Sequence, residues 1–119
     1  MNTVVLTGNL GSDPESFYTP NDGVHIANFP LAFQSGKKKD KANWIRITAF
    51  NKTAEVAVKY LHKGAKVSIL GSLDMDQWEN DEGQKRTMIK MIARSIEFIK
   101  TDGRGFENDQ NQEEGDVPF

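Results

Sequence analysis

Five short segments rich in β-branched or apolar residues dominate the first 100 residues, some of them alternating as β-strands do, and turn signals divide the chain. In residues 2–10, NTVVLTGNL, the apolar side chains fall mostly on alternate positions, and the sequence GSDP then ends the pattern. The other segments are residues 24–33, 44–50, 65–75 and 87–99. A period of two places one face of each strand against a core. We therefore predict a body built mainly of β-strands.

One segment has helical spacing instead. In TAEVAVKYLHKG, residues 53–64, apolar side chains recur at i, i+3, i+4 and i+7, namely Ala54, Ala57, Val58 and Leu61. Thr53 is a suitable N-cap, and Gly64 suits a left-handed position after the helix. Three strands, a helix and two more strands predict an all-β fold, a five-stranded barrel of the oligonucleotide-binding kind (OB-fold) with one short helix.

The charges divide the chain into two parts of opposite sign. Residues 1–100 contain 14 Lys or Arg and 11 Asp or Glu, whereas residues 101–119 contain one and six. The second part has no apolar periodicity and too little apolar surface to offset its chain entropy. We predict a folded domain at 1–100, a flexible linker at 101–112 and an acidic tip at 113–119, the last two forming a disordered tail.

Several function classes are excluded by what the sequence lacks. It has no Cys, which excludes disulfides, thiolate metal sites and cysteine nucleophiles. No apolar run approaches the ~20 residues of a membrane span, and the N-terminus has no features of a signal or transit peptide. The acidic turn at 74–82 has no accompanying His, and no P-loop or nucleophile elbow occurs. We expect no enzyme, no cofactor, no metal and no membrane association, and a cytoplasmic location.

The third predicted strand carries the chemistry. Its odd positions are apolar and belong to the core, so its even positions share the opposite face; these are Trp44, Arg46, Thr48 and Phe50. Exposed rings beside cations suit single-stranded nucleic acid, because bases stack on the rings and phosphates meet the cations. Nearby lysines would make binding weaken with salt; they are Lys37, Lys38, Lys39, Lys41 and Lys52.

Other interpretations of these residues remain open at this point. The rings could be covered by another subunit or a loop, and the lysine run could be an ordinary solvated loop. Trp78 could be a structural hairpin residue. His25 and His62 stand outside any motif, and we interpret them as satisfied or surface histidines.

Five features together resemble the bacterial single-stranded DNA-binding protein family. They are N-x-V-x-L-x-G-N-L-G-x-D-P-E at 2–15, the strand at 44–50, A-E-V-A-x-x-Y-L-x-K-G at 54–64, Trp78 before a Gly-containing turn, and a terminal acidic D-V-P-F. The resemblance implies an OB-fold homotetramer, associated with the nucleoid, that wraps single-stranded DNA without sequence preference and performs no catalysis. It also implies that Trp44, Phe50 and Trp78 stack on bases, and that Arg46, Lys52 and Lys63 contact phosphates.

The chain departs from the family pattern at two places on the DNA path. Family members commonly carry an aromatic residue in the loop after the second strand, where this chain has SGKKKDK at 35–41 and Phe33 is the nearest ring. Many members also have basic residues before the third aromatic, whereas Asp74 and Asp76 precede Trp78 here.

The acidic tip ends in Asp116, Val117, Pro118 and Phe119. Its ring could enter an apolar pocket, its carboxylates could pair with Arg or Lys, and Pro118 limits the entropy of ordering. The resemblance implies that this tip binds proteins of replication, recombination and repair. A solubilising tail would explain the acids but not the last three residues. A primosomal replication accessory protein would share the barrel, but it normally lacks such a tip.

Overall fold

The computed structural model describes residues 1–36 and 41–106. In this part of the chain six strands and one helix follow each other. They are β1 (Val4–Leu10), β2 (Glu15–Tyr18), β3 (His25–Gln34), β4 (Ala42–Phe50), α1 (Asn51–Tyr60), β5 (Lys66–Glu79) and β6 (Lys85–Lys100). No helix in the described residues is long and apolar enough to span a membrane.

Five of the strands close into a barrel, which confirms the predicted fold. The strand order is β1-β5-β6-β4-β3, and the last residues of β1 close the ring by pairing with β3 at Asn9↔Ala32 and Leu10↔Leu31. The β4–β6 pair is parallel, and every other pair is antiparallel. The sixth strand, β2, lies outside the ring. It pairs with residues 25–28 of β3, on the same edge at which residues 31 and 32 of β3 pair with β1.

The core follows from the alternation of β3 and β4. Residues at odd positions of both strands point into the barrel, and Ala27, Phe29 and Leu31 of β3 are at most 1% exposed. Helix α1 buries Ala54 and Ala57 against this core. Because the odd positions are fixed inside, the even positions of β3 and β4 must face outward.

The helix begins earlier than the sequence predicts. Phe50, the last residue of β4, is the N-cap and makes no side-chain cap hydrogen bond, so the prediction of Thr53 as N-cap is wrong. Asn51 has φ of 52°, a left-handed conformation that asparagine tolerates, and this turns the chain directly from β4 into α1. Gly64 does have positive φ, but it lies in the turn after the extended C-cap Leu61 rather than at C′.

Strand β2 is an addition to the prediction. It forms a hairpin with β3 through a turn in which the Thr19 amide donates to the Val24 carbonyl at 2.9 Å. His25, buried at 7% exposure, joins the two strands: its Nε2 lies 2.7 Å from Ser16 Oγ, and its ring stacks on Tyr18 at 4.5 Å. His25 is therefore hydrogen-bonded at Nε2, as the sequence predicts, whereas Nδ1 has no hydrogen-bond partner among the described residues.

The described residues that follow β6 pack on the body. Phe106 contacts Tyr60 with 4.5 Å between ring centroids, and the backbone amide of Asp102 donates to His62 Nε2 at 2.8 Å. These residues belong to the segment predicted as linker. Residues 107–119, including the predicted tip, lie outside the described part of the chain, and the division at 100 and 112 stays a prediction.

Candidate nucleic-acid interface

Strand register builds one outward face from β2, β3, β4, β6 and the end of β5 that pairs with β6 at residues 74–78, which we call the outer face. Residues directly opposite each other on paired strands point to the same side. On β3 and β4 the outward pairs are Ala32 with Trp44, Pro30 with Arg46, Asn28 with Thr48, and Ile26 with Phe50. The face therefore brings together the three residues of β4 that we predicted to bind DNA.

The predicted stacking rings are exposed. Trp44 is 58% exposed, Phe50 39% and Trp78 48%. Trp44 also has a defined support, because a Cβ added at Gly11 would lie 2.5 Å from its indole ring. The Gly11 backbone thus packs closely against the six-membered ring, while Trp44 as a whole stays 58% exposed.

Thr48 lies on the outer face as predicted, but it is only 4% exposed. Its hydroxyl donates to Asn28 Oδ1 at 2.8 Å. Thr48 therefore acts on this face by orienting Asn28, and it has little surface of its own to offer.

The parallel pairing of β4 with β6 adds a cation that the sequence did not single out. Lys90 lies beside Arg46 in the register, and its ammonium group is 3.2 Å from Asp76 of β5. Farther along the same hairpin Trp78 lies opposite Arg86. The acids before Trp78 thus partly neutralise this section of the outer face.

Two further predicted cations lie in α1 and in the turn that follows it. Lys52, the second residue of α1, lines an open pocket of about 200 Å³ together with Arg94. Lys63 is exposed in the turn after α1, and its backbone amide donates to Asp13 Oδ1 at 2.7 Å. Lys37, Lys38 and Lys39 lie outside the described residues.

Phe17 is a further exposed ring that the sequence reading missed. It is 48% exposed and lies opposite Ile26, which in turn lies opposite Phe50. The three residues form one apolar row across β2, β3 and β4. All four residues of Glu15–Tyr18 are exposed, so no alternation of apolar and polar positions marks this strand in the sequence.

Within the described residues no group of three or more His, Asp or Glu side chains could hold a metal ion. A family model described as "Single-strand binding protein family" matches residues 1–99, which is the barrel with all of its strands except the final residue of β6. Proteins of that family are non-enzymatic and bind single-stranded DNA.

Proposed function

The chain belongs to the single-strand binding protein family and binds single-stranded DNA, and from this premise we propose that it coats single strands of any sequence through the outer face. The observation that carries the proposal is the alternation of exposed Trp44 and Phe50 with Arg46 on one strand face. Such a face places aromatic rings for base stacking and a positive charge for phosphate side by side along one strand.

The energetics favour single strands over duplexes. Each base stacked on a protein ring contributes roughly 1–3 kcal/mol, and the faces of the bases that would stack are hidden inside a duplex. Trp44, Phe50 and Trp78 are the stacking residues in this proposal. Arg46, Lys52 and Lys63 contact phosphates, with Lys37, Lys38 and Lys39 extending the positive field. Every base has a stacking face, so this part of the affinity does not depend on sequence.

We also propose that the protein works as a homotetramer. Within the described part of the chain, Val4 to Gly8 of β1 pair with a strand on one side only, β5. On the outward side of this pair Val5, 61% exposed, lies opposite Leu70, 39% exposed. A closed symmetric assembly would cover these apolar side chains and lengthen the path for DNA. Light scattering should report a tetramer, and a monomer at micromolar concentration would exclude this assembly.

The tip, Asp116 to Phe119, recruits proteins of replication, recombination and repair to the coated strand in this proposal, at the nucleoid in the cytoplasm. Its support is the chemistry of the sequence: a terminal ring with a neighbouring proline and two carboxylates.

The test of DNA binding is a titration of intrinsic tryptophan fluorescence with oligo-dT and with a duplex of equal length. We expect oligo-dT to quench the two tryptophans, and the affinity to fall as salt is raised. The duplex should quench far less. Equal quenching by both ligands, or none by oligo-dT, would contradict the proposed function.

A further inference from the structure

An open pocket of about 280 Å³ lies on the outer face next to Trp44. Its lining residues are Ser12, Glu15, Asn28, Phe29, Pro30 and Arg46. The connection to Trp44 runs through Gly11, since a Cβ at that position would lie 2.5 Å from the Trp44 ring and 3.4 Å from Pro30 Cγ. A strand with one base stacked on Trp44 would thus pass directly by the pocket.

The pocket is lined by both hydrogen-bond donors and acceptors, and these groups have unused hydrogen-bonding capacity. Glu15 lies opposite Asn28 on the outer face, and Arg46 lies opposite Pro30. Within the described residues neither Glu15 nor Arg46 has an ion-pair partner. Asn28 Oδ1 accepts the Thr48 hydroxyl, which leaves the Asn28 amide group to donate. The pocket therefore offers a carboxylate acceptor, a guanidinium donor and an amide donor.

A carboxylate at this place is unexpected for phosphate binding, because it repels the DNA backbone. A carboxylate does, however, accept hydrogen bonds from base edges. Adenine and cytosine each have one exocyclic amino group, and thymine has a single N–H between two carbonyls. Guanine alone has two adjacent donors, N1–H and the N2 amino group, beside the acceptors O6 and N7.

We propose that this pocket binds a guanine base of the bound strand. The Glu15 carboxylate accepts from N1–H and from the N2 amino group, the Asn28 amide donates to O6, and Arg46 keeps its contact with the neighbouring phosphate. Pro30 supplies an apolar surface beside the base. The inference rests on the proposed function, and it adds a local base preference to binding that otherwise tolerates any sequence.

The experiment compares three short oligonucleotides that differ at one central position: all thymine, one guanine, or one inosine. Inosine lacks the N2 amino group and keeps N1–H, O6 and N7, so it isolates the contact between the N2 amino group and Glu15. We expect guanine to be bound about tenfold more tightly than thymine, the effect typical of hydrogen bonds to a charged group, and inosine to bind between the two. A single guanine also avoids four-stranded structures.

Glu15→Gln tests the pocket, and Glu55→Gln is the matched control. Glu55 is exposed on α1 and does not line the pocket, and its substitution removes the same charge. The guanine-to-thymine affinity ratio should fall to about one in Glu15→Gln and stay at the parent value in Glu55→Gln. Equal parent affinities for the three oligonucleotides, or a ratio that survives Glu15→Gln, would overturn the guanine pocket. Failure to bind the all-thymine strand would instead contradict the proposed function.

Discussion

Replacing Gly11 by Ala should weaken DNA binding although Gly11 itself offers no side chain to DNA. The added Cβ would lie 2.5 Å from Cζ3 and 2.8 Å from Cη2 of Trp44, where an ordinary contact is 3.4–4 Å. The backbone at Gly11 is held by a hydrogen bond from its amide to the Pro30 carbonyl at 3.0 Å, which resists a retreat of the chain. The indole is therefore expected to move by about 1 Å.

The size of the effect follows from what Trp44 contributes. A stacked base is worth roughly 1–3 kcal/mol, so Trp44→Ala should cost this amount and Gly11→Ala a part of it, about 1 kcal/mol. In the double variant Gly11→Ala should cost nothing further, since the ring that it displaces is gone. Gly36→Ala is the control, because an added Cβ there meets no atom of the described residues within 4 Å.

Anisotropy of a labelled oligo-dT measures all four variants without relying on tryptophan fluorescence. Circular dichroism and melting temperature show whether each variant keeps the fold. Gly11→Ala binding as tightly as the parent would refute the reasoning. Penalties of Gly11→Ala and Trp44→Ala that simply add would refute it as well, because Gly11 would then act by another route.

Three further predictions concern the charges. Asp76→Asn removes the ion-pair partner of Lys90 and frees it to contact a phosphate, so DNA affinity should rise. The slope of log K against log salt should become steeper by ~0.7, the value of one phosphate contact on a single strand. An unchanged slope would contradict this role of Lys90. Phe119→Ala keeps every charge, so DNA affinity should stay at the parent value while pull-down of replication and repair proteins is lost; an undiminished pull-down would mean that the tip acts by charge alone. Hydrogen bonds from Arg104 lower the pKa of Asp102 from 3.8 to about 2, so the Asp102 carboxylate stabilises the 101–106 segment fully above pH 3.8 and loses this effect as pH falls through about 2. A titration of the Asp102 carboxyl by NMR should show a midpoint near 2 that rises in Arg104→Ala. A midpoint near 3.8 in the parent protein would contradict the hydrogen bonding.

The sequence predicted well where local alternation decides the structure. In β4 the apolar residues Ile45, Ile47 and Ala49 leave only one way to face the core, so the outward direction of Trp44 and Phe50 could be read directly. Trp78 was correctly placed just before a hairpin turn, and Gly83 in that turn has φ of +77°. These features depend on neighbouring residues only.

The sequence predicted poorly where distant pairing or a single backbone angle decides. Lys90 meets Arg46 through the parallel β4–β6 pair, and no local pattern specifies that register. β2 has four residues, all exposed, so burial leaves no alternation to detect. The start of α1 depends on the positive φ of Asn51, and Thr53 looked like the better cap because capping preferences ignore this sharp entry.

The most direct test of the account uses the two tryptophans as separate reporters. The chain contains only Trp44 and Trp78, so a ¹⁵N NMR spectrum has two indole N–H signals, which Trp44→Phe and Trp78→Phe assign. We predict that oligo-dT shifts both signals, that the Arg46 and Lys90 backbone amides shift with them, and that a duplex of equal length leaves them in place. Saturating oligo-dT that left both indole signals unmoved would contradict the claim that single-stranded DNA binds the outer face.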